Sequence, residues 1–199
     1  MDHGQIGETD SLKQVRIGAA GMTNRSRHCT IPPMSTAAPA FEPADVPLDA
    51  RVAVVAARFN AHIVDELLAG CLRRLTELGI GEPRVETYRV PGAFELPVAA
   101  KALARTHRFA AIICLGCVVR GDTPHFDYVA GEAARGIQRV ALDECLPVIF
   151  GVLTTTTEQQ ALDRTGGAHG HAGERAAEAA AEMIAVLARA GAGGSGVKG

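Results

Sequence analysis

The chain has 199 residues, 47% of them apolar and 21% charged, with a formal net charge of −2 at neutral pH. That length supports one domain with a substantial core, and the absence of a basic excess sets nucleic acid aside as a partner. No apolar run reaches the length of a membrane span, and the first residues hold Lys13, Arg16, Arg25 and Arg27 without the continuous apolar stretch of a secretory signal.

Residues 1–48 mix Gly, Ser, Thr and Pro, with Pro32, Pro33, Pro39, Pro43 and Pro47 crowding the second half. They read as a disordered or extended N-terminal extension in which Met22 and Met34 offer alternative translation starts. Residues 49–190 read as the folded domain, and residues 191–199 as a flexible, Gly-rich tail.

Within the domain the pattern alternates. Residues 51–57 are a β-branched, apolar strand. Residues 61–78 form an amphipathic helix, with Ile63, Leu67, Leu68, Cys71, Leu75 and Leu78 on one side and Gly79 as its stop. Residues 84–90 alternate as a second strand, and residues 94–106 form a helix that tolerates Pro97 in its first turn. Residues 110–119 are a continuous apolar strand, residues 126–145 a helix, residues 147–153 a fourth strand, residues 158–164 a short helix and residues 173–190 an Ala-rich one. Strands separated by helices imply a three-layer α/β sandwich: a four-stranded parallel sheet with helices on both faces, right-handed crossovers and the flavodoxin-like order 2-1-3-4.

In such open sheets ligands bind beyond the carboxyl ends of the strands. Four segments fall there: Arg58-Phe59-Asn60, residues 90–95, residues 117–125 and residues 154–157. The third is the most informative. A buried strand breaks at Gly121 and Thr123, and His125 opens a helix, so backbone N–H groups can cradle a phosphate beside a residue that moves protons near neutral pH. Each group also has a plainer reading. Phe59 could cap the core, Glu95 could answer a helix dipole, His125 could bond locally and Arg164 could be a solvated helix-end cation. Their convergence on strand ends favours the functional reading. The spacing of Gly116 to Gly121 matches neither a dinucleotide fingerprint nor a P-loop.

Five cysteines, Cys29, Cys71, Cys114, Cys117 and Cys145, are an odd number, and four fall in expected strands or helices, which suits a reduced, cytoplasmic protein. Cys114 and Cys117 match C-x-x-C, but inside a strand their side chains cannot share a helix start, so redox catalysis is not expected. His169 and His171 lack partners at metal-ligand spacing, and no metal site is expected.

Residues 57–60, 90–97, 120–129 and 150–155 together resemble the lumazine synthase family of riboflavin biosynthesis, across about residues 48–190. The resemblance implies condensation of 5-amino-6-(D-ribitylamino)uracil with 3,4-dihydroxy-2-butanone 4-phosphate to 6,7-dimethyl-8-ribityllumazine, without metal or organic cofactor. It implies His125 as the proton-transfer residue, Phe59 stacked on the pyrimidine, and Ala93, Phe94 and Glu95 lining that substrate. Cys117, Val118 and Val119 contact the pyrimidine through backbone. Asp122, Thr123 and Arg164 hold the phosphate. Phe150, in the first half of its strand, would serve a neighbouring subunit's site, as in the family's pentamers. The resemblance leaves the final assembly open among a pentamer, a decamer and a sixty-subunit icosahedral capsid, and gives riboflavin synthase as a further partner. A non-catalytic flavin or lumazine carrier, or a shell-forming protein, on the same scaffold is the alternative. One departure stands out: after Arg164 the family's lysines are missing from residues 165–173, so either phosphate affinity is lower or protonated His171 takes over part of their role.

Overall fold

The structure, a computed structural model, describes residues 46–192. The readings made for residues 1–45 and 193–199, including both alternative starts, Cys29 and most of the Gly-rich tail, lie outside the described residues. The elements follow as β1 (Val52–Ala57), α1 (Ala61–Glu77), β2 (Val85–Val90), a 3-10 turn (Ala93–Glu95), α2 (Leu96–Ala104), β3 (Ala111–Val119), α3 (His125–Glu144) and β4 (Val148–Thr155). After these come α4 (Glu158–Leu162), the short strands β5 (Thr165–Gly167) and β6 (Gly170–His171), and α5 (Ala172–Ala192).

The main sheet is parallel, in the order β2-β1-β3-β4, with helices flanking it, as the alternating pattern requires. Its central strands are buried on both faces, and their side chains alternate between two cores. Val54, Ala56, Ile113 and Leu115 pack under α1 and α5, with Leu67, Cys71 and Ala180. Ala53, Val55, Ile112 and Cys114 pack under α2 and α3, with Leu96 and Ile137. Two-sided burial explains why β1 and β3 read as continuous apolar runs rather than alternating ones.

Local chemistry sets the element ends. Gly79 takes φ 79°, its N–H reaches the Thr76 carbonyl at 3.0 Å and the Ile80 N–H reaches the Leu75 carbonyl at 2.8 Å, a Schellman ending that stops α1 where the glycine stands. Pro97 sits in the first turn of α2, where no N–H partner is lost. The helix expected from Phe94 is split: a 3-10 turn comes first and α2 starts at Leu96. The Ala-rich C-terminal helix runs through Gly191 instead of ending at Ala190, since one glycine costs a helix only about 1 kcal/mol against alanine. The β5–β6 hairpin was not expected. Its turn is Ala168-His169, and Gly166 (φ 112°) and Gly170 (φ 71°) lie in the strands on either side, within a stretch that has no apolar periodicity to announce a strand.

The α1–α5 contact depends on absent side chains. A Cβ on Gly173 would collide with the Leu67 carbonyl oxygen, and one on Gly70 with the His171 ring. Among the described residues no helix is long and apolar enough to cross a membrane.

At the β2 edge, Glu86 accepts hydrogen bonds from the Tyr88 hydroxyl at 2.6 Å and from Arg51 at 2.5 Å, and also pairs with Arg108. The Tyr88 hydrogen bond, then those of the two arginines, hold its carboxyl down at about 2. A depressed folded-state value stabilises the fold above the unfolded-state value of about 4.3, and that stabilisation fades as pH falls toward the folded value. Glu86→Gln is therefore expected to flatten the loss of urea resistance between about pH 4.3 and the folded-state value. An acid profile of urea midpoints identical to that of the unaltered protein would contradict this.

Candidate functional site

The four segments at the carboxyl ends of the strands are tied to one another by named contacts. Past β1, the Arg58 N–H donates to the Val90 carbonyl at 2.8 Å and the Phe59 N–H to the Pro91 carbonyl at 3.0 Å, joining the first segment to the second. Asn60 takes the left-handed conformation (φ 56°) that asparagine tolerates, and its Nδ2 donates to the Cys117 carbonyl at 3.0 Å, joining the first to the third. Ala93 packs beside Gly116, where an added Cβ would lie 3.5 Å from the Ala93 methyl, joining the second to β3 directly before the third. The Arg120 N–H donates to the Thr155 carbonyl at 2.8 Å, joining the third to the fourth.

On this frame the expected residues take distinct places. Phe59 is 70% exposed just past β1 and Phe94 is 56% exposed in the 3-10 turn, so both rings are open to a ligand, while Ala93 is buried beneath them in the core under α2 and α3. Glu95 is half-buried, with its carboxylate folded back beside Gly92. Cys117 is buried, Val118 and Val119 half-buried, and the loop that follows, with Asp122, Thr123 and His125, is exposed. His125 is the first residue of α3, a helix of 20 residues whose positive end faces this loop. Arg164 lies two residues beyond α4 and donates from Nη1 to the Gln160 carbonyl at 2.6 Å, so its guanidinium is steered by its own turn.

Phe150 does not join this group. It pairs with Cys114 in β3, three positions before Cys117, which sets it back by about 10 Å along the sheet at ~3.3 Å per residue. Its ring is 43% exposed and lines two grooves along β4: one of about 630 Å3 with Ile137, Leu142 and Ile149, and one of about 220 Å3 with Leu153 and Ala176.

Two contacts lay beyond sequence reasoning. The Asn60 bond to Cys117 had a signal, an asparagine directly after a strand, but its distant partner did not. The pair of His62 Nε2 with Glu158 Oε1 at 2.7 Å links the first turns of α1 and α4 across 96 positions, with no local signature. One expectation is corrected. His171 was to lend a cation to the phosphate, but its ring is turned onto α1 against Gly70. Burial, foremost, lowers its pKa below the ordinary imidazole value and favours the neutral form.

The cysteines are electrostatically silent. Cys114 belongs to the core under α2 and α3 and Cys117 to the core under α1 and α5, so the C-x-x-C pair straddles the sheet. Burial pushes the Cys114 thiol up to about 12 and the Cys117 thiol up to about 11, the latter helped by the charge of Glu158. Among the described residues no group of three His, Cys, Asp or Glu side chains is disposed to hold a metal ion.

These features define an α/β protein of flavodoxin-like sheet order with an open shelf beyond the strand ends, where two exposed aromatic rings and the start of a long helix stand. The sequence model of one family, described as 6,7-dimethyl-8-ribityllumazine synthase, matches residues 49–188. A protein of that name from Coxiella burnetii (strain CbuG_Q212) is 46% identical over 137 residues, covering 69% of this chain and 91% of its own length. Another, from Stenotrophomonas maltophilia (strain R551-3), is 48% identical over 141 residues, covering 71% and 91%. The chain belongs to the 6,7-dimethyl-8-ribityllumazine synthase family.

Thiol labelling checks the burial assignments. At about pH 8, near the ordinary thiol value, iodoacetamide is expected to modify Cys145, which is exposed, and to spare Cys71, Cys114 and Cys117 until denaturant is added. Peptide mapping that found Cys114 or Cys117 alkylated in the native protein would overturn the assignment.

Proposed function

We propose that this chain condenses 5-amino-6-(D-ribitylamino)uracil with 3,4-dihydroxy-2-butanone 4-phosphate, releasing phosphate and water, to form 6,7-dimethyl-8-ribityllumazine. Family membership supports the reaction. The observation that carries the assignment of residues is the pairwise tie among the four strand-end segments, which gathers an exposed ring, a half-buried acid and an open helix start at one edge of the sheet.

The reaction needs an imine to form, phosphate to leave and a ring to close. Holding both substrates in register is the larger contribution, because it converts a two-body encounter into a local event. Phe59 offers a face for the pyrimidine, with Ala93, Phe94 and Glu95 beside it and Glu95 accepting from the ribityl hydroxyls. The backbone of Cys117, Val118 and Val119 reads the pyrimidine edge. The N–H groups of Asp122 and Thr123, the Thr123 hydroxyl and the start of α3 receive the phosphate. Asp122 turns its carboxylate away, since two anions repel. Arg164 supplies the matching cation. His125, beside the phosphate cradle, moves protons between the reacting atoms, a contribution of about 10²–10⁴-fold in general.

Phe150 belongs in this reading to a neighbour. Its setback along β4 removes it from its own protomer's shelf, and its grooves present apolar surface at an open sheet edge. The functional unit is a ring pentamer in which Phe150 and Arg164 complete the site of the adjacent copy. Further assembly of pentamers into a shell of sixty copies, and association with riboflavin synthase, extend the same reading.

Mixing both substrates with purified protein and following the product's absorbance and fluorescence tests the activity; no product would end the proposal. In that assay His125→Ala is expected to lower turnover by about 10- to 100-fold while positioning persists, and Arg164→Ala to raise KM for the phosphate-bearing substrate and spare the pyrimidine. Equal loss for both substrates on Arg164→Ala would count against its role. Sedimentation is expected to give an active pentamer or a multiple of it, and an active monomer would refute the shared site.

A further inference from the structure

Arg120 stands at the hinge between β3 and the loop that leads to α3, and three contacts fix it there. Its N–H is bonded to the Thr155 carbonyl at 2.8 Å. Its guanidinium meets the Asp127 carboxylate with both prongs, Nη2 to Oδ1 at 2.7 Å and Nη1 to Oδ2 at 3.4 Å. The same group lies 4.3 Å above the centre of the Phe126 ring. Asp127 is fixed in turn, its N–H donating to the Pro124 carbonyl at 3.0 Å in the first turn of α3.

Between these anchors the chain is bare. Gly121, Asp122 and Thr123 are exposed, and among the described residues they make no hydrogen bond. The space where a Gly121 side chain would stand is open. A loop with no bonds of its own keeps a receptive shape only if its ends are held, because ordering it on ligand arrival costs conformational entropy that weakens binding. A planar, two-pronged guanidinium stacked on a ring is suited to such holding, where a lysine would act as a point charge.

We infer that Arg120 and Asp127 form a clasp that holds loop 121–124 in its anion-receiving shape, making both of them positioning residues for the phosphate-bearing substrate. This rests on the assignment of that loop as the phosphate cradle. The rival role for Arg120, direct contact with the phosphate, has the opposite consequence at its partner. If the guanidinium bound the anion, removing the Asp127 charge would free it and tighten binding. If it is a clasp, the same change loosens the loop and weakens binding.

The test is steady-state kinetics of Arg120→Ala, Asp127→Asn and the double variant, with Arg164→Ala run alongside and thermal unfolding recorded for each. The clasp predicts that both single variants raise KM for the phosphate-bearing substrate about two- to five-fold, the scale of one exposed ion pair. KM for the pyrimidine stays within error, and the double variant is no worse than the worse single one, because one interaction is lost only once. Arg120→Lys, the milder change, shows the same selective rise at smaller size. A fall in KM on Asp127→Asn overturns the clasp in favour of direct contact, and additive effects overturn it by making the residues independent. Selective weakening by Arg164→Ala alone, with the Arg120 and Asp127 variants silent, removes the clasp and leaves the site standing. Loss of selectivity in all of them, Arg164→Ala included, removes the site assignment itself.

Discussion

Strand β3 is committed on both faces and on both edges, and this fixes where the loops that follow the strands lie. Its side chains alternate into two separate cores while its backbone is bonded to β1 on one side and β4 on the other. A slip of one residue would exchange the two sets of side chains between cores of different shape. With β3 locked, β1 ends just short of Cys117, so that Asn60 beyond it reaches the Cys117 carbonyl, and Thr155 at the end of β4 falls level with Val119, so that it receives the N–H of Arg120. The shelf beyond the strands is thus a product of register rather than of any pocket built for its own sake.

The shelf has a division of labour that follows from burial. Ala93 and Cys117 are buried in the cores, while Phe59, Thr123 and His125, the residues proposed for the chemistry, stand at or beyond the ends of rigid elements and are exposed. Rigid strands and a long helix place loop groups that the loops could not place themselves. The buried thiols serve packing: removed from water, they behave as small apolar groups whose ionisation is suppressed.

Most of the sheet was legible from the chain because its signals are local. Continuous apolar runs marked β1 and β3, a glycine at the correct place ended α1, and alternation of strand with helix implied parallel order. The strand-end segments could be named for the same reason, since in a parallel sheet every carboxyl end lies on one side. What escaped were features made by residues distant in the chain. The His62–Glu158 pair and the turning of His171 onto Gly70 depend on which helix lands beside which, and no periodicity encodes that. The β5–β6 hairpin escaped because the glycines in its strands carry no side chain whose alternation could reveal a strand.

The two rims of the sheet are guarded unequally. Along β2 the outer strand carries Glu86 and Arg89, each engaged in ion pairs that keep water at the edge. Along β4 the neighbouring surface is Phe150, Ile149 and Leu142, with no comparable charge on the strand itself. A folded copy therefore has one charged border and one apolar border. A second apolar surface laid against the β4 border would remove far more hydrocarbon from water than one laid against the β2 border.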